Sequence, residues 1–132
     1  MTGSRSDALV MFGISGDLAR RKLFGALYSL EQRGHLDMPV VGVARSPWTT
    51  EELRTHIATS LAETTPGADA SVVERLVARV EYVCGDYQAP ETYVELDQKL
   101  GASRRPLAYL AIPPSLFAAV AGGLASCCDG RT

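Results

Sequence analysis

The chain has 132 residues, of which 46% are hydrophobic and 21% charged, so its length and composition favour one globular domain with a substantial core. Its formal net charge of −2 provides no basic excess, and we therefore expect neither nucleic acid nor a membrane surface as a partner. The odd number of cysteines and the adjacent pair Cys127 and Cys128 fit no disulfide framework or zinc spacing, which favours a reducing compartment.

The amino-terminal residues are polar up to position 7, and we expect residues 1–7 to be disordered. The apolar run 8–12 follows and ends at Gly13, which predicts a first strand that is buried on both faces. Because this run is too short for a signal peptide or a membrane span, the chain is expected to be cytoplasmic.

The first helix is predicted over residues 17–32, before the stop signal at Gly34. Apolar side chains recur there at helical spacing and should form its buried face; they are Leu18, Leu23, Phe24, Leu27 and Leu30. A second strand is predicted over residues 39–44, where the sequence is again short, apolar and β-branched.

Two helices are predicted between the second strand and the third. The first of them opens with a capping box formed by Thr49 and Glu52. Ser71 and Glu74 are expected to form another capping box, which opens a helix that runs through Val80.

The rest of the chain continues the alternation of strands and helices. We predict a third strand over residues 81–84, a helix over residues 90–100, a fourth buried strand over residues 106–112, and a last, Ala-rich helix that starts at the pair Pro113 and Pro114. Such alternation indicates an α/β fold. We therefore predict a Rossmann-like parallel sheet with helices on both faces over residues 8–132.

A turn with two glycines joins the first strand to the first helix, and its residues are Gly13, Ile14, Ser15, Gly16, Asp17, Leu18 and Ala19. Gly13 and Gly16 lack a Cβ, so backbone N–H donors and the positive end of the helix dipole can approach a pyrophosphate closely. Ala19 is the small residue that lets such a helix lie tightly on the strand. We interpret the segment as a phosphate-binding turn rather than a plain turn, because a strand precedes it and an amphipathic helix follows.

Two charged residues near this turn need separate interpretations. Asp17 would repel a phosphate, so its side chain is expected to point away, towards Arg21. Arg20 is the basic residue nearest the turn and is a candidate phosphate ligand, although a charge run on a helix is usually a solvated face.

Arg45 and Ser46 follow the second strand, where an NAD-binding domain usually carries an acidic residue for the ribose 2′-hydroxyl. The guanidinium of Arg45 offers a planar fork of donors to a 2′-phosphate, and Ser46 adds a hydroxyl. The alternative is that Arg45 is a solvated charge at the end of a strand. Together with the glycine turn, these residues favour a phosphate and hence NADP over NAD.

The remaining polar and aromatic residues suggest no chemistry. His35 and His56 lie with no nucleophile or ligand cluster at useful spacing, so we predict no catalytic and no metal-binding residue in this chain. Tyr109, within an apolar strand, is predicted to pack there with its hydroxyl reaching a partner at the edge.

Three segments resemble the amino-terminal domain of the glucose-6-phosphate dehydrogenase family in order and spacing; they are GISGDLARRKLF from Gly13, GVARS from Gly42 and YLAIPPSLF from Tyr109. The resemblance extends from about residue 8 to residue 126. It implies oxidation of glucose 6-phosphate at C1 with hydride transfer to NADP, in the pentose phosphate pathway. It also implies cofactor contacts from residues 13–20, Arg45, Asp86, Tyr87 and Phe117.

The family also has segments for which these 132 residues contain no match. The family carries a Glu-Lys-Pro segment and, later, an aspartate–histidine pair whose histidine is the general base. We therefore expect a sheet that is incomplete at its carboxyl-terminal end, no substrate domain and no activity of this chain alone. Glucose 6-phosphate would then be a partner only of the full-length enzyme.

An incomplete domain leaves apolar surface and a sheet edge uncovered, so we expect instability, self-association through that edge or rescue by a partner. Two other functions stay open beside the partial dehydrogenase. One is a non-catalytic NADP-binding module or sensor, and the other is a different NADP-dependent reductase.

Overall fold

The computed structural model describes residues 7–101 and 106–128, without the side chains of residues 126–128. Nearly all of the amino-terminal segment predicted to be disordered, and the thiols of Cys127 and Cys128, therefore lie outside the described residues. Within them the chain forms a four-stranded parallel sheet, in the order β3-β2-β1-β4. The strands are β1 (Ala8–Phe12), β2 (Val40–Ala44), β3 (Val80–Cys84) and β4 (Pro106–Leu110).

Helices cover both faces of this sheet, which confirms the predicted Rossmann-like α/β architecture. They are α1 (Phe24–Gln32), α2 (Thr50–Thr64), α3 (Ala70–Ala78), α4 (Pro90–Leu100) and α5 (Phe117–Cys128). Buried side chains of α1, α2 and α3 form one apolar cluster with one face of the sheet, and those of α4 and α5 form a second cluster with the other. None of the described helices is long and apolar enough to span a membrane.

The first helix differs from its prediction in how it starts. Residues Ala19–Leu23 form a π-helical turn that leads into α1, and the N–H of Phe24 closes it by donating to the carbonyl of Ala19. Leu23, Phe24 and Leu27 are buried as predicted, but Leu18 and Leu30 are exposed and do not belong to the core face. A π turn is wider than an α-helical turn, so it rotates the side chains after it around the helix axis relative to those before it. A regular helical period does not predict this rotation.

The two predicted capping boxes have opposite outcomes. At α2 the Glu52 N–H donates to Thr49 Oγ1 over 3.1 Å, and the Thr49 N–H donates to Glu52 Oε1 over 2.9 Å, so that box is confirmed. At α3 the box of Ser71 and Glu74 is wrong, because Asp69 is the capping residue and its carboxylate accepts from the Ser71 N–H. A carboxylate two residues earlier satisfies the same free N–H, so the helix starts sooner.

The interpretation of β4 as a buried strand is wrong. It ends at Leu110 rather than at residue 112, and Leu107 and Tyr109 are 55% and 45% exposed. Both residues pair in register with residues of β1 that face the α1 side, Leu9 and Met11. β4 is the last strand in the order, and among the described residues no helix covers that face of it, so its apolar side chains stay in contact with solvent.

Candidate nucleotide-binding site

The predicted site residues lie at one edge of the sheet, where the parallel strands end. The strand order reverses between β1 and β4, and the glycine turn follows β1 at this point. The residues after β2, β3 and β4 reach the same edge because all four strands run in one direction. In open α/β sheets ligands bind at the carboxyl ends of the strands, where the strand order reverses.

The turn is held by backbone hydrogen bonds. The Gly13 N–H donates to the carbonyl of Val43 over 2.8 Å, and the Gly16 N–H donates to the carbonyl of Gly13 over 2.9 Å. The Arg20 N–H then donates to the carbonyl of Gly16 over 3.1 Å, one helical turn later. The N–H groups between Gly16 and Arg20 have no helical carbonyl before them, so they are available to an anion, whereas the Gly16 N–H already donates within the turn.

The two glycines serve different needs. Gly13 is buried and has φ +83°, and a Cβ on it would lie 2.2 Å from the carbonyl oxygen of Ala111. Gly16 is exposed, and a Cβ on it would lie 3.2 Å from the carbonyl oxygen of Gly13. Close approach to a ligand is therefore a property of Gly16, whereas Gly13 is required by the fold.

Other residues of the turn divide into buried and exposed groups. Ile14 and Ala19 are fully buried, so only their backbone atoms could meet a cofactor. The burial of Ala19 agrees with the prediction that a small residue at this position lets the helix lie tightly on the strand. Ser15 is half-buried, and the exposed carboxylate of Asp17 forms an ion pair with Arg21 over 2.8 Å, in the direction expected.

Arg20 has a carboxylate partner. Its guanidinium forms an ion pair with Glu63 on α2, so a phosphate would compete with this carboxylate for the same donors. The structure thus places Arg20 beside the turn without directing its charge to it.

Arg45 and Ser46 lie next to the glycine turn. The hydroxyls of Ser46 and Ser15 form a hydrogen bond of 2.8 Å across 31 residues of sequence, which joins the end of β2 to the turn after β1. Arg45 is exposed and has no ion-pair partner in the described part of the chain. Arg45 directly precedes the residue that contacts the turn, and no described carboxylate neutralises its guanidinium.

Tyr82 is a contributor that the sequence analysis missed. Its ring is buried in β3, and its hydroxyl donates to the carbonyl of Ser46 over 2.6 Å. Burial raises the pKa of Tyr82 far above its usual value, and the charges of Cys84 and Tyr87 raise it further, so the hydroxyl keeps its proton. An aromatic residue in an apolar strand gives no sequence signal for such a role.

The predicted contacts after β3 differ in accessibility. Asp86 is exposed, and its carboxylate accepts from the Gln88 N–H over 2.8 Å. Tyr87 is only 5% exposed, and its hydroxyl lies 3.5 Å from the carbonyl oxygen of Val43. Burial raises the pKa of Tyr87, while the nearby backbone N–H of Gly13 and the charge of Arg45 lower it. The buried Tyr87 hydroxyl therefore lies near the same Val43 carbonyl that accepts from the Gly13 N–H, whereas Asp86 faces solvent.

Two aromatic residues lie beside the site. Tyr109 is within β4, and Phe117 follows that strand. Phe117 begins α5, directly after the short 3₁₀ turn Pro114–Leu116, and its ring is 41% exposed. Tyr109 was expected to pack in its strand, but its ring is 45% exposed. Both rings therefore offer apolar surface near the carboxyl ends of β1 and β4.

His56 lies on α2, in an aromatic stack. Its ring lies 4.9 Å from Trp48 and 5.7 Å from Phe24, between ring centroids. Its Nε2 is buried and has no hydrogen-bond partner in the part of the chain that the structure describes. Burial lowers the pKa of His56, as does the charge of Arg20, while Glu63 opposes the shift.

Acidification is expected to destabilise the fold through this histidine. Below the ordinary pKa of 6.5 the unfolded chain takes up a proton that folded His56 resists, so the stability falls with pH until the folded pKa is reached. Thermal unfolding between pH 8 and pH 5 would measure the slope. His56→Phe, which keeps an aromatic ring in the stack, should flatten it, whereas a change at exposed His35, His35→Gln, should not. An unaltered slope in His56→Phe would contradict the assignment.

In residues 7–101 and 106–128 no three side chains of histidine, cysteine, aspartate or glutamate could hold a metal ion together. Cys84 is exposed, and its thiol lies 4.0 Å from the carbonyl oxygen of Arg45.

Comparison with known proteins gives consistent matches. The family model described as glucose-6-phosphate dehydrogenase, NAD binding domain, matches residues 10–130. Glucose-6-phosphate 1-dehydrogenase 1 of Mycobacterium tuberculosis is 42% identical, over 94% of this chain and 26% of that protein. Glucose-6-phosphate 1-dehydrogenase 6, cytoplasmic, of Arabidopsis thaliana is 33% identical, over 95% of this chain and 27% of that protein.

Solved structures agree with these matches. The crystal structure of glucose-6-phosphate 1-dehydrogenase from Mycobacterium avium superposes with a TM-score of 0.88 at 43% identity, over 93% of this chain and 27% of that one. A glucose-6-phosphate dehydrogenase in complex with its substrate glucose-6-phosphate superposes with a TM-score of 0.81 at 30% identity, over 94% and 28%. The chain thus spans about a quarter of the length of these relatives.

Proposed function

Because the chain belongs to the glucose-6-phosphate dehydrogenase family, we propose that it binds NADP for an enzyme that oxidises glucose 6-phosphate to 6-phosphogluconolactone. In such an enzyme the bound nicotinamide accepts a hydride from C1 of the sugar. The reaction would feed the pentose phosphate pathway. The residues of this chain support the cofactor half of this function, and its relatives support the substrate half.

The observation that carries the proposal is the hydrogen bond between Ser15 and Ser46, which joins the residue after Arg45 to the glycine turn. The N–H groups that follow Gly16 would bind the pyrophosphate, since a helix amino terminus favours an anion and exposed Gly16 has no Cβ to block its approach. Arg45 and Ser46 would bind the 2′-phosphate of the adenosine ribose. NAD lacks this phosphate, so the arrangement favours NADP.

Catalysis by these residues alone is not part of the proposal. Removing the proton from the C1 hydroxyl needs a general base within hydrogen-bond reach. His56 lies in an aromatic stack on α2, and His35 precedes β2 at the opposite edge of the sheet. We therefore assign neither histidine as this base.

Titration of the chain with NADP and with NAD tests the nucleotide site. Trp48 lies three residues after Arg45 and is the only tryptophan, so its fluorescence should change on binding, and calorimetry would give the dissociation constants. We expect saturable binding with NADP preferred. No saturable response in both methods would overturn the proposal.

An activity assay tests the proposal that these residues bind NADP but do not catalyse the reaction by themselves. The chain with NADP and glucose 6-phosphate should form no NADPH, and activity there would contradict the proposed division of the site. Binding without activity would also suit a non-catalytic NADP-binding module. A longer chain that continues this sequence distinguishes the two, since the enzyme hypothesis expects NADPH formation and the module hypothesis none.

We further propose a cytoplasmic location and self-association through β4. Among the described strands β4 is the last, so its outer edge is unpaired there, and its uncovered face carries Leu107 and Tyr109. Unpaired strand edges invite pairing with a second chain. Among relatives, one from Arabidopsis thaliana is named cytoplasmic and another chloroplastic. Sedimentation of the chain at increasing concentration would reveal the association, and a concentration-independent monomer would exclude it.

A further inference from the structure

The segment after β2 is tied down at the carbonyl of Ser46. This oxygen accepts two hydrogen bonds, from the Trp48 N–H over 2.8 Å and from the Tyr82 hydroxyl over 2.6 Å. The first bond is local and shapes the turn. The second reaches across 36 residues of sequence and anchors the turn to β3.

Tyr82 is itself held in place. Its ring is 4% exposed, and its N–H donates to Thr50 Oγ1 at the start of α2 over 3.2 Å. The Gly85 N–H donates to the carbonyl of Ala44 over 2.9 Å, which continues the pairing of β2 with β3 up to Arg45. The phenol therefore reaches Ser46 from a rigid support.

We propose that Tyr82 is a positioning residue for cofactor selectivity, whose hydroxyl holds the backbone of Ser46 so that Arg45 and the Ser46 hydroxyl meet the 2′-phosphate of NADP. This inference rests on the proposed function. Ordering a backbone residue costs conformational entropy, and a segment already ordered before binding avoids that cost when the ligand arrives. The benefit falls on a ligand that has a 2′-phosphate and not on NAD.

The variant Tyr82→Phe tests the proposal, since it removes one oxygen and keeps the buried ring. The Ser46 carbonyl keeps the Trp48 N–H as a donor, so the substitution leaves no buried acceptor without a partner. We expect NADP affinity to fall about three- to tenfold, the range that one hydrogen bond contributes, with NAD affinity changed less than about twofold. The readout is the ratio of the two dissociation constants.

Tyr28→Phe is the matched control. The Tyr28 hydroxyl is also a buried phenol bonded to backbone, because it accepts from the Asp69 N–H over 2.8 Å, but it joins α1 to α3 away from the turn. This variant should lower thermal stability and leave the NADP to NAD ratio unchanged. Circular dichroism would show that both variants are folded at the temperature of the titrations.

A double variant separates positioning from a general loosening of the fold. In Arg45→Ala the selectivity is lost, so adding Tyr82→Phe should produce no further change in the ratio. A parent-like ratio in Tyr82→Phe, or equal loss in Tyr28→Phe, would overturn the inference and leave NADP binding intact. Absence of NADP preference in the unaltered chain would instead overturn the proposed function.

Discussion

Replacement of Arg45 by alanine is expected to abolish the preference for NADP over NAD. Hydrogen bonds to a charged group contribute about 1.5–3 kcal/mol, so NADP affinity should fall about ten- to hundredfold. NAD affinity should stay nearly constant, because NAD has no phosphate at the ribose 2′ position. Calorimetric titration of both nucleotides into Arg45→Ala and into the parent chain would measure the change.

The control for this substitution is Arg33→Ala. Arg33 is exposed and caps the carboxyl end of α1, so its loss removes one positive charge without touching the candidate site. If both arginine variants weakened NADP equally, long-range attraction would explain the effect and Arg45 would have no specific contact. If the nucleotide preference survived in Arg45→Ala, the 2′-phosphate assignment would be wrong.

The second large effect is expected from Gly13→Ala, on stability rather than on binding. At φ +83° an alanine is strained by about 1–2 kcal/mol, and its Cβ would lie 2.2 Å from the carbonyl oxygen of Ala111. Overpacking adds about 1–3 kcal/mol, so the free energy of unfolding should fall by about 2–5 kcal/mol. Urea denaturation followed by circular dichroism would measure it.

Gly34→Ala separates the two causes of this loss. Gly34 also has a positive φ, +73°, but a Cβ there would meet nothing within 4 Å. Its substitution should cost only the conformational strain, about 1–2 kcal/mol. Equal losses in the two variants would mean that the contact between Gly13 and Ala111 is relieved at no cost, and that the turn is less rigid than the geometry indicates.

The distinction between the glycines affects how such turns are interpreted. Both were expected to admit a phosphate, and only Gly16 is exposed where one could approach. Gly13 is required because the backbone after β4 packs against it, and this contact joins residues 98 positions apart in the chain. A glycine in a binding motif can therefore be required by packing alone.

Features that depend on neighbours in the chain could be predicted from the sequence. The run 8–12 forms β1 as predicted, α4 begins at Pro90 and ends at Leu100, and the Thr49–Glu52 box opens α2. Local backbone preferences, capping residues and the spacing of apolar residues control such elements, so the amino-acid sequence suffices to find them. The ion pair of Asp17 with Arg21 belongs to the same class, since a helix brings positions four apart together.

The contacts between these elements, and the surfaces that they cover, depend on the three-dimensional fold. The hydrogen bonds of Ser46 with Ser15 and with Tyr82 cross 31 and 36 residues, and no local pattern encodes their partners. Burial was decided in the same way, because Leu107 is as apolar as a core residue but lies on the last strand of the sheet. The apolar character of a side chain determines whether it can be buried, whereas its neighbours in the fold determine whether it is buried.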